Sequence, residues 1–208
     1  MSGIEFEQTP NPDALRVLPG RIVSEGGPRQ YDRGAAAADP LAAELLALPG
    51  VARVMLGREF VTVVRLDASV DWKALRPEIA LTLLDWLDRP APSQPAAAPR
   101  AVHDGAVGQQ IEAVLDRHVR PRLAADGGDA VLVRYDPADG TAWVRMEGAC
   151  GGCPSGSMTL KQGIARTIRH WVPEVRRVAA EAETLAEKVD PKARFRDWVA
   201  AKWGTKAG

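Results

Sequence analysis

Residues 89–100 read RPAPSQPAAAPR, with Pro90, Pro92, Pro95 and Pro99 in one short stretch. Each proline lacks a backbone N–H and fixes φ, so the stretch can be neither a continuous helix nor a central strand. Proline mixed with alanine makes a semi-extended spacer. The 208-residue chain therefore divides into an N-terminal unit (1–88), the spacer (89–100), a C-terminal unit (101–180) and a charged tail (181–208). Each unit is large enough to hold its own core. No repeat relates the two halves.

The N-terminal unit has an α+β pattern. Asn11-Pro12-Asp13 is a turn signal before the apolar segment 14–18, and Pro19-Gly20 turns the chain again. Asp39-Pro40 is an N-cap followed by a proline suited to the first helical position. Leu41, Leu45 and Leu48 follow at helical spacing, and Pro49-Gly50 ends that run. Segments 51–56 and 60–66 are rich in β-branched residues and flank Gly57-Arg58-Glu59, which predicts a hairpin. Asp71-Trp72 opens a second helix with Leu75, Ile79, Leu83 and Leu87 on one face. This half contains no cysteine, no histidine and no phosphate-binding glycine motif, so its apolar stripes are assigned to a core.

The C-terminal unit reads α-β-β-α-β. Val107, Ile111, Val114, Leu115 and Val119 mark a helix face that ends near Pro121. Asp126-Gly127-Gly128-Asp129 is a turn, and strands over 130–135 and 141–146 form a hairpin. A second helix places Leu160, Ile164, Ile168 and Trp171 towards the core, Pro173 stops it, and 175–179 adds a last strand. In the tail, Phe195, Trp198, Val199 and Trp203 would share one side of a helix. The fold class expected is α+β: two small domains joined by a Pro/Ala-rich linker.

Charge and cysteine usage narrow the chemistry. Lys plus Arg and Asp plus Glu both number 27, so the net charge is zero and nothing draws the whole chain to nucleic acid or an anionic membrane. No run approaches the roughly 18 apolar residues of a membrane helix. The first seven residues show no basic region followed by an apolar run. A cytoplasmic location is the expectation. Only two cysteines occur, and a disulfide between Cys150 and Cys153 would close a tiny loop and add little stability. Their task is chemical.

Cys150-Gly151-Gly152-Cys153 lies between a strand and a helix. The two glycines let the backbone bend both sulfurs towards one centre. Pro154 suits a first helical turn, and the positive end of a helix dipole favours thiolate, the form that binds metal. Three chemistries fit a bare CxxC. A dithiol redox site would follow a βαβ order, which this unit lacks. A closed zinc site needs four ligands. His103, His118 and His170 lack metal-ligand spacing and are assigned to surface or packing roles. An iron–sulfur cluster also asks for four thiolates, which two chains about a two-fold axis would supply.

The segments GACGGCPSGSMTLKQGIARTIRHWVPEV and HVRPRLAADGGDAVLV resemble the C-terminal domain of NifU-like (Nfu-type) iron–sulfur cluster scaffold proteins. QTPNPDALRVLPGR, DPLAAELLALPGVARVMLGREFVTV and DWKALRPEI resemble the Nfu N-terminal domain. The resemblance implies a non-enzymatic scaffold or carrier. It would bind a 4Fe-4S cluster between two subunits through Cys150 and Cys153, receive it from an upstream donor and pass it to apo-proteins. It implies a homodimer when loaded and a partner-contacting or accessory N-terminal domain. From the charge balance and the lack of a long apolar run, neither nucleic acid nor a membrane is expected as partner. With no further cysteines, a separate assembly site or a permanent ferredoxin-like cluster is not expected. A thiol–disulfide oxidoreductase and a zinc-bridged dimer are the alternatives for the same pair.

Overall fold

Val17, Val61, Val63, Val51 and Val54 are fully buried and form the centre of the first of two sheets. They belong to a computed structural model that describes residues 3–25, 27–34, 37–89, 105–151 and 157–181. The first sheet runs in the order β1 (Glu5–Gln8), β2 (Ala14–Leu18), β5 (Val61–Arg65), β4 (Val51–Leu56), β3 (Arg29–Asp32). Every pair in it is antiparallel. Helices α1 (Pro40–Ala47) and α2 (Trp72–Asp88) supply Leu41, Leu45, Ile79 and Leu83 to the same core. The Asp39 carboxylate caps α1, accepting from the Leu41 and Ala42 amides at 2.9 and 3.3 Å.

Two expectations change here. Strands β1 and β3 were not anticipated, because EFEQ and RQYD lack an apolar alternation. They are edge strands of four residues each, and polar edges resist unwanted pairing. On α2 the buried residue of the last turn is Trp86 and not Leu87. Steps of four residues drift by roughly 40° each around a helix of 3.6 residues per turn.

The second unit has the element order α-β-β-α-β once its first helix is taken whole. That helix comprises α3 (Ala106–Val114), a π turn (Leu115–Val119) and α4 (Arg120–Ala125). It continues past Pro121, where the sequence pattern placed its end. Pro121 has no N–H, and its ring would press on the carbonyl four residues back. The helix widens for one turn, with the Arg120 amide bonding to Leu115 O, and this accommodates the proline. Strands β6 (Gly128–Asp136) and β7 (Thr141–Gly148) form the antiparallel hairpin, and β8 (Arg177–Ala180) joins β7 in parallel. Helix α5 (Ser157–Trp171) packs Ile164 and Ile168 against Ile111, Leu115 and Leu132. Trp171 is 54% exposed, so it does not face the core as its spacing suggested. Val172, fully buried, takes that place as the helix ends.

The fold class is α+β. Residues 90–104, which contain most of the spacer, and the tail beyond 181 lie outside the described residues. So do the aromatic residues Phe195, Trp198 and Trp203.

Candidate metal centre

The hairpin register sets Gly128 opposite Gly148 and Asp129 opposite Glu147 at the end of the second sheet. Strands β6 and β7 each extend further towards the cysteines than their apolar runs indicated, so half of the Asp126–Asp129 segment is strand. Gly127 and Gly148 have φ of 73° and 62°, the left-handed region that glycine enters at little cost. The Ala149 amide bonds to Gly127 O at 3.0 Å and the Gly151 amide to Gly148 O at 3.1 Å. The chain thus folds back over its own strand end and brings Cys150 above Gly128.

Cys150 is half-buried. A Cβ on Gly128 would meet its Sγ at 2.4 Å, so the sulfur fills the space left by the missing side chain. Gly151 is equally confined, since a Cβ there would stand 2.9 Å from Met146 O. Cys153 and Pro154 lie outside the described residues, and α5 begins at Ser157, the start of a helix beyond the loop. Among the described residues no group of three His, Cys, Asp or Glu side chains would hold a metal ion. His118 stacks on Trp171 at 4.9 Å and His170 meets the same ring edge-on at 5.2 Å. Both therefore pack at the far end of α5, and His103 lies outside the described residues.

Asp129, the neighbour of Gly128, faces a buried cation. Arg120, 8% exposed, donates to Ala130 O at 3.0 Å, to Asp116 at 2.6 Å and to Glu112 at 2.7 Å. Its guanidinium also stands 3.5 Å from the carboxylate of Asp129, which is 1% exposed. Burial works against the Arg120 charge, but the hydrogen bonds it donates to Asp116 and Glu112 outweigh it and hold the pKa above the ordinary arginine value. The network ties the strand that carries Gly128 to the first helix.

Sequence reasoning assigned no site residue to the N-terminal unit, yet four of its side chains reach the loop. Asn11 Nδ2 donates to Ala149 O at 3.0 Å, and Thr62 Oγ1 donates to Gly127 O at 2.7 Å. Arg53 Nη1 donates to Gly151 O at 3.0 Å, and Gln30 Oε1 accepts from the Gly148 amide at 2.8 Å. The sequence held one sign of this: Thr62 is a polar residue inside an apolar run, and it is fully buried. A half-buried thiol on a glycine floor, with a second cysteine three residues on, is a soft donor set that suits iron–sulfur or zinc.

The family described as NifU-like domain matches residues 111–179, and the one described as Scaffold protein Nfu/NifU N terminal matches residues 4–89. NifU-like protein 4, mitochondrial, of Arabidopsis thaliana is 38% identical over 186 residues, covering 86% of this chain and 65% of that protein. NFU1 iron-sulfur cluster scaffold homolog, mitochondrial, of Homo sapiens is 33% identical over 177 residues, covering 83% of this chain and 69% of that protein. The chain thus spans about two thirds of the length of these relatives. Both relatives are named as mitochondrial, which overturns the cytoplasmic expectation. That expectation rested on the first seven residues and on the lack of a long apolar run, and neither fixes an address. With both modules matched in order and relatives similar across both, the chain belongs to the NifU-like (Nfu-type) family of iron–sulfur cluster scaffold proteins.

Proposed function

We propose that this protein is a carrier whose cargo is a 4Fe-4S cluster, held by Cys150 and Cys153 from each of two copies and handed to apo-proteins. The observation that supports this reading is the seat of Cys150. Its sulfur rests on Gly128 at the end of a strand pair, with one further cysteine three residues on. One chain offers two thiols where a cubane cluster needs four. A second copy, related by a two-fold axis, completes the set. A cluster bound between subunits has no deep cage, so its ligands exchange readily with the thiols of a recipient. The role asks for no turnover of a small substrate, and the cluster arrives from an upstream donor. In this reading residues 101–180 hold the cargo, and residues 1–88 form an accessory unit joined by the spacer at 89–100.

Anaerobic reconstitution tests the reading. The expected result is about four irons and four sulfides per two chains, in a dimer that becomes monomeric on chelation. Replacing either cysteine by alanine abolishes the broad visible absorbance. A visible cluster retained by Cys150→Ala or Cys153→Ala rules out the ligand assignment. Stoichiometric zinc with no transfer to any recipient, or a metal-free dithiol that reduces disulfides, rules out the carrier.

A further inference from the structure

We propose that the N-terminal sheet docks on the cysteine loop and positions it through its backbone, with Arg53, bonded to a carbonyl between the two cysteines, as a positioning residue. The purpose of such docking rests on the carrier reading; its existence does not.

The four bonds from Asn11, Gln30, Arg53 and Thr62 come from four separate places in the first unit: the turn after β1, β3, β4 and β5. All four end on main-chain atoms, of Ala149, Gly148, Gly151 and Gly127. Contacts to main chain fix the path of a segment whatever its side chains are. The first unit therefore sets where the loop runs, and Cys150 rides on that path.

The centre of the contact is dry. Thr62 and Met55 are fully buried and Asn11 is 3% exposed. Ala14, Val64 and Ala149 form a small apolar cluster across the two units. Buried polar groups are costly unless bonded, and Asn11 and Thr62 each find a loop carbonyl.

Two glycines also match this surface. A Cβ on Gly148 would lie 2.6 Å from Met55 Cε, and one on Gly127 would lie 2.8 Å from Thr62 Oγ1. Their left-handed φ already favours glycine, and the close approach of the first unit is a second demand on the same positions. Arg53 is itself braced: its Nε donates to Asp32 on the neighbouring strand at 2.6 Å, directly across the β3–β4 register. A planar guanidinium held by one carboxylate keeps its remaining donors aimed. It brings a positive charge to a loop whose sulfurs bind metal as thiolates. Because the two units share one chain, a contact of this modest size forms without the entropy cost of bringing two molecules together.

The test uses the full-length, metal-free chain. Hydrogen exchange of the Gly148 amide, read by NMR, is expected to quicken about tenfold in Gln30→Ala. Exchange of the Gly151 amide, which bonds to Gly148 O, is expected to quicken about threefold in Arg53→Ala. Arg53→Lys should fall between, since an ammonium cannot serve Asp32 and Gly151 with the same fork. The unfolding midpoint of Arg53→Ala should stay near that of the parent, which separates positioning from loss of fold. Equal Gly148 exchange in the parent and Gln30→Ala, or equal Gly151 exchange in the parent and Arg53→Ala, overturns the proposal. Both readouts are taken without metal, so a parent chain that takes up no iron overturns the carrier reading alone.

Discussion

Gly128 is the floor on which the Cys150 sulfur rests: a Cβ built there would stand 2.4 Å from Sγ and 3.0 Å from the Cys150 Cβ. Its φ is not positive, so space and not backbone conformation demands the glycine. In Gly128→Ala the sulfur, a movable side-chain end, must leave its rotamer, at a cost of about 1 kcal/mol. The Cys150 Cβ, at 3.0 Å, and the backbone Glu147 O, at 3.1 Å, must each also give by a few tenths of an ångström. We therefore expect Gly128→Ala to lower the iron retained after reconstitution severalfold while its unfolding midpoint falls by only a few degrees. A large drop in the midpoint with normal iron content would make the glycine a folding requirement instead.

Arg120 answers to a different physics. It is buried among Glu112, Asp116 and Asp129, and Asp129 is itself almost completely enclosed. Removing one partner of such a set leaves the rest uncompensated, at a cost of about 3 kcal/mol. Arg120→Met should show that loss in urea unfolding. Arg120→Lys should recover only part of it, because an ammonium cannot reproduce the fork that serves Asp116, Glu112 and Ala130 O together. Full stability in Arg120→Met would mean that the carboxylates find other partners.

Asp139, in the β6–β7 turn, gives a pH dependence of known sign. The Thr141 side chain, and to a smaller degree its amide, hold the Asp139 carboxyl below its usual pKa. A carboxyl depressed in the folded state contributes stability above its unfolded value of about 3.9, and that stability is lost as pH falls through the folded value. Asp139→Asn should therefore be less stable than the parent at neutral pH, with the difference shrinking as the pH drops through about 4. Thermal unfolding across that range reads the effect, which is small because the group is solvent-exposed.

The parts of the fold that were legible share one property: their side chains alternate or recur on an apolar face. Leu41 and Leu45 with the Asp39 cap, the valines of β4 and β5, and Ile164 and Ile168 on α5 all announce themselves by period. Strands β1 and β3 do not, because a four-residue polar edge has no buried face to pattern. The π turn was hidden for another reason. A proline reads as a stop, and only the geometry shows that one widened turn lets the helix pass it. Cys150 was visible from the CxxC spacing. The residues that hold its loop were not, since Asn11, Gln30, Arg53 and Thr62 bond to main-chain atoms 65 to 138 positions away and form no motif.

Gly127, next to Gly128, is held for the opposite reason, and the pair can be separated by experiment. Its φ of 73° lies in the left-handed region, where an L side chain costs about 1–2 kcal/mol. A Cβ there would also meet Thr62 Oγ1 at 2.8 Å, across the contact between the two units. Gly127→Ala should thus lower the unfolding midpoint well below that of Gly128→Ala. Gly127→Asn should regain part of the loss, since asparagine tolerates this conformation better than alanine does. The recovery stays incomplete because the contact with Thr62 remains. Iron content per folded chain should change little in Gly127→Asn, as its Cβ faces Thr62 and Arg16 and not the sulfur. If Gly127→Asn loses as much iron as Gly128→Ala at equal stability, the two glycines serve the cysteine loop in the same way and the distinction between them fails.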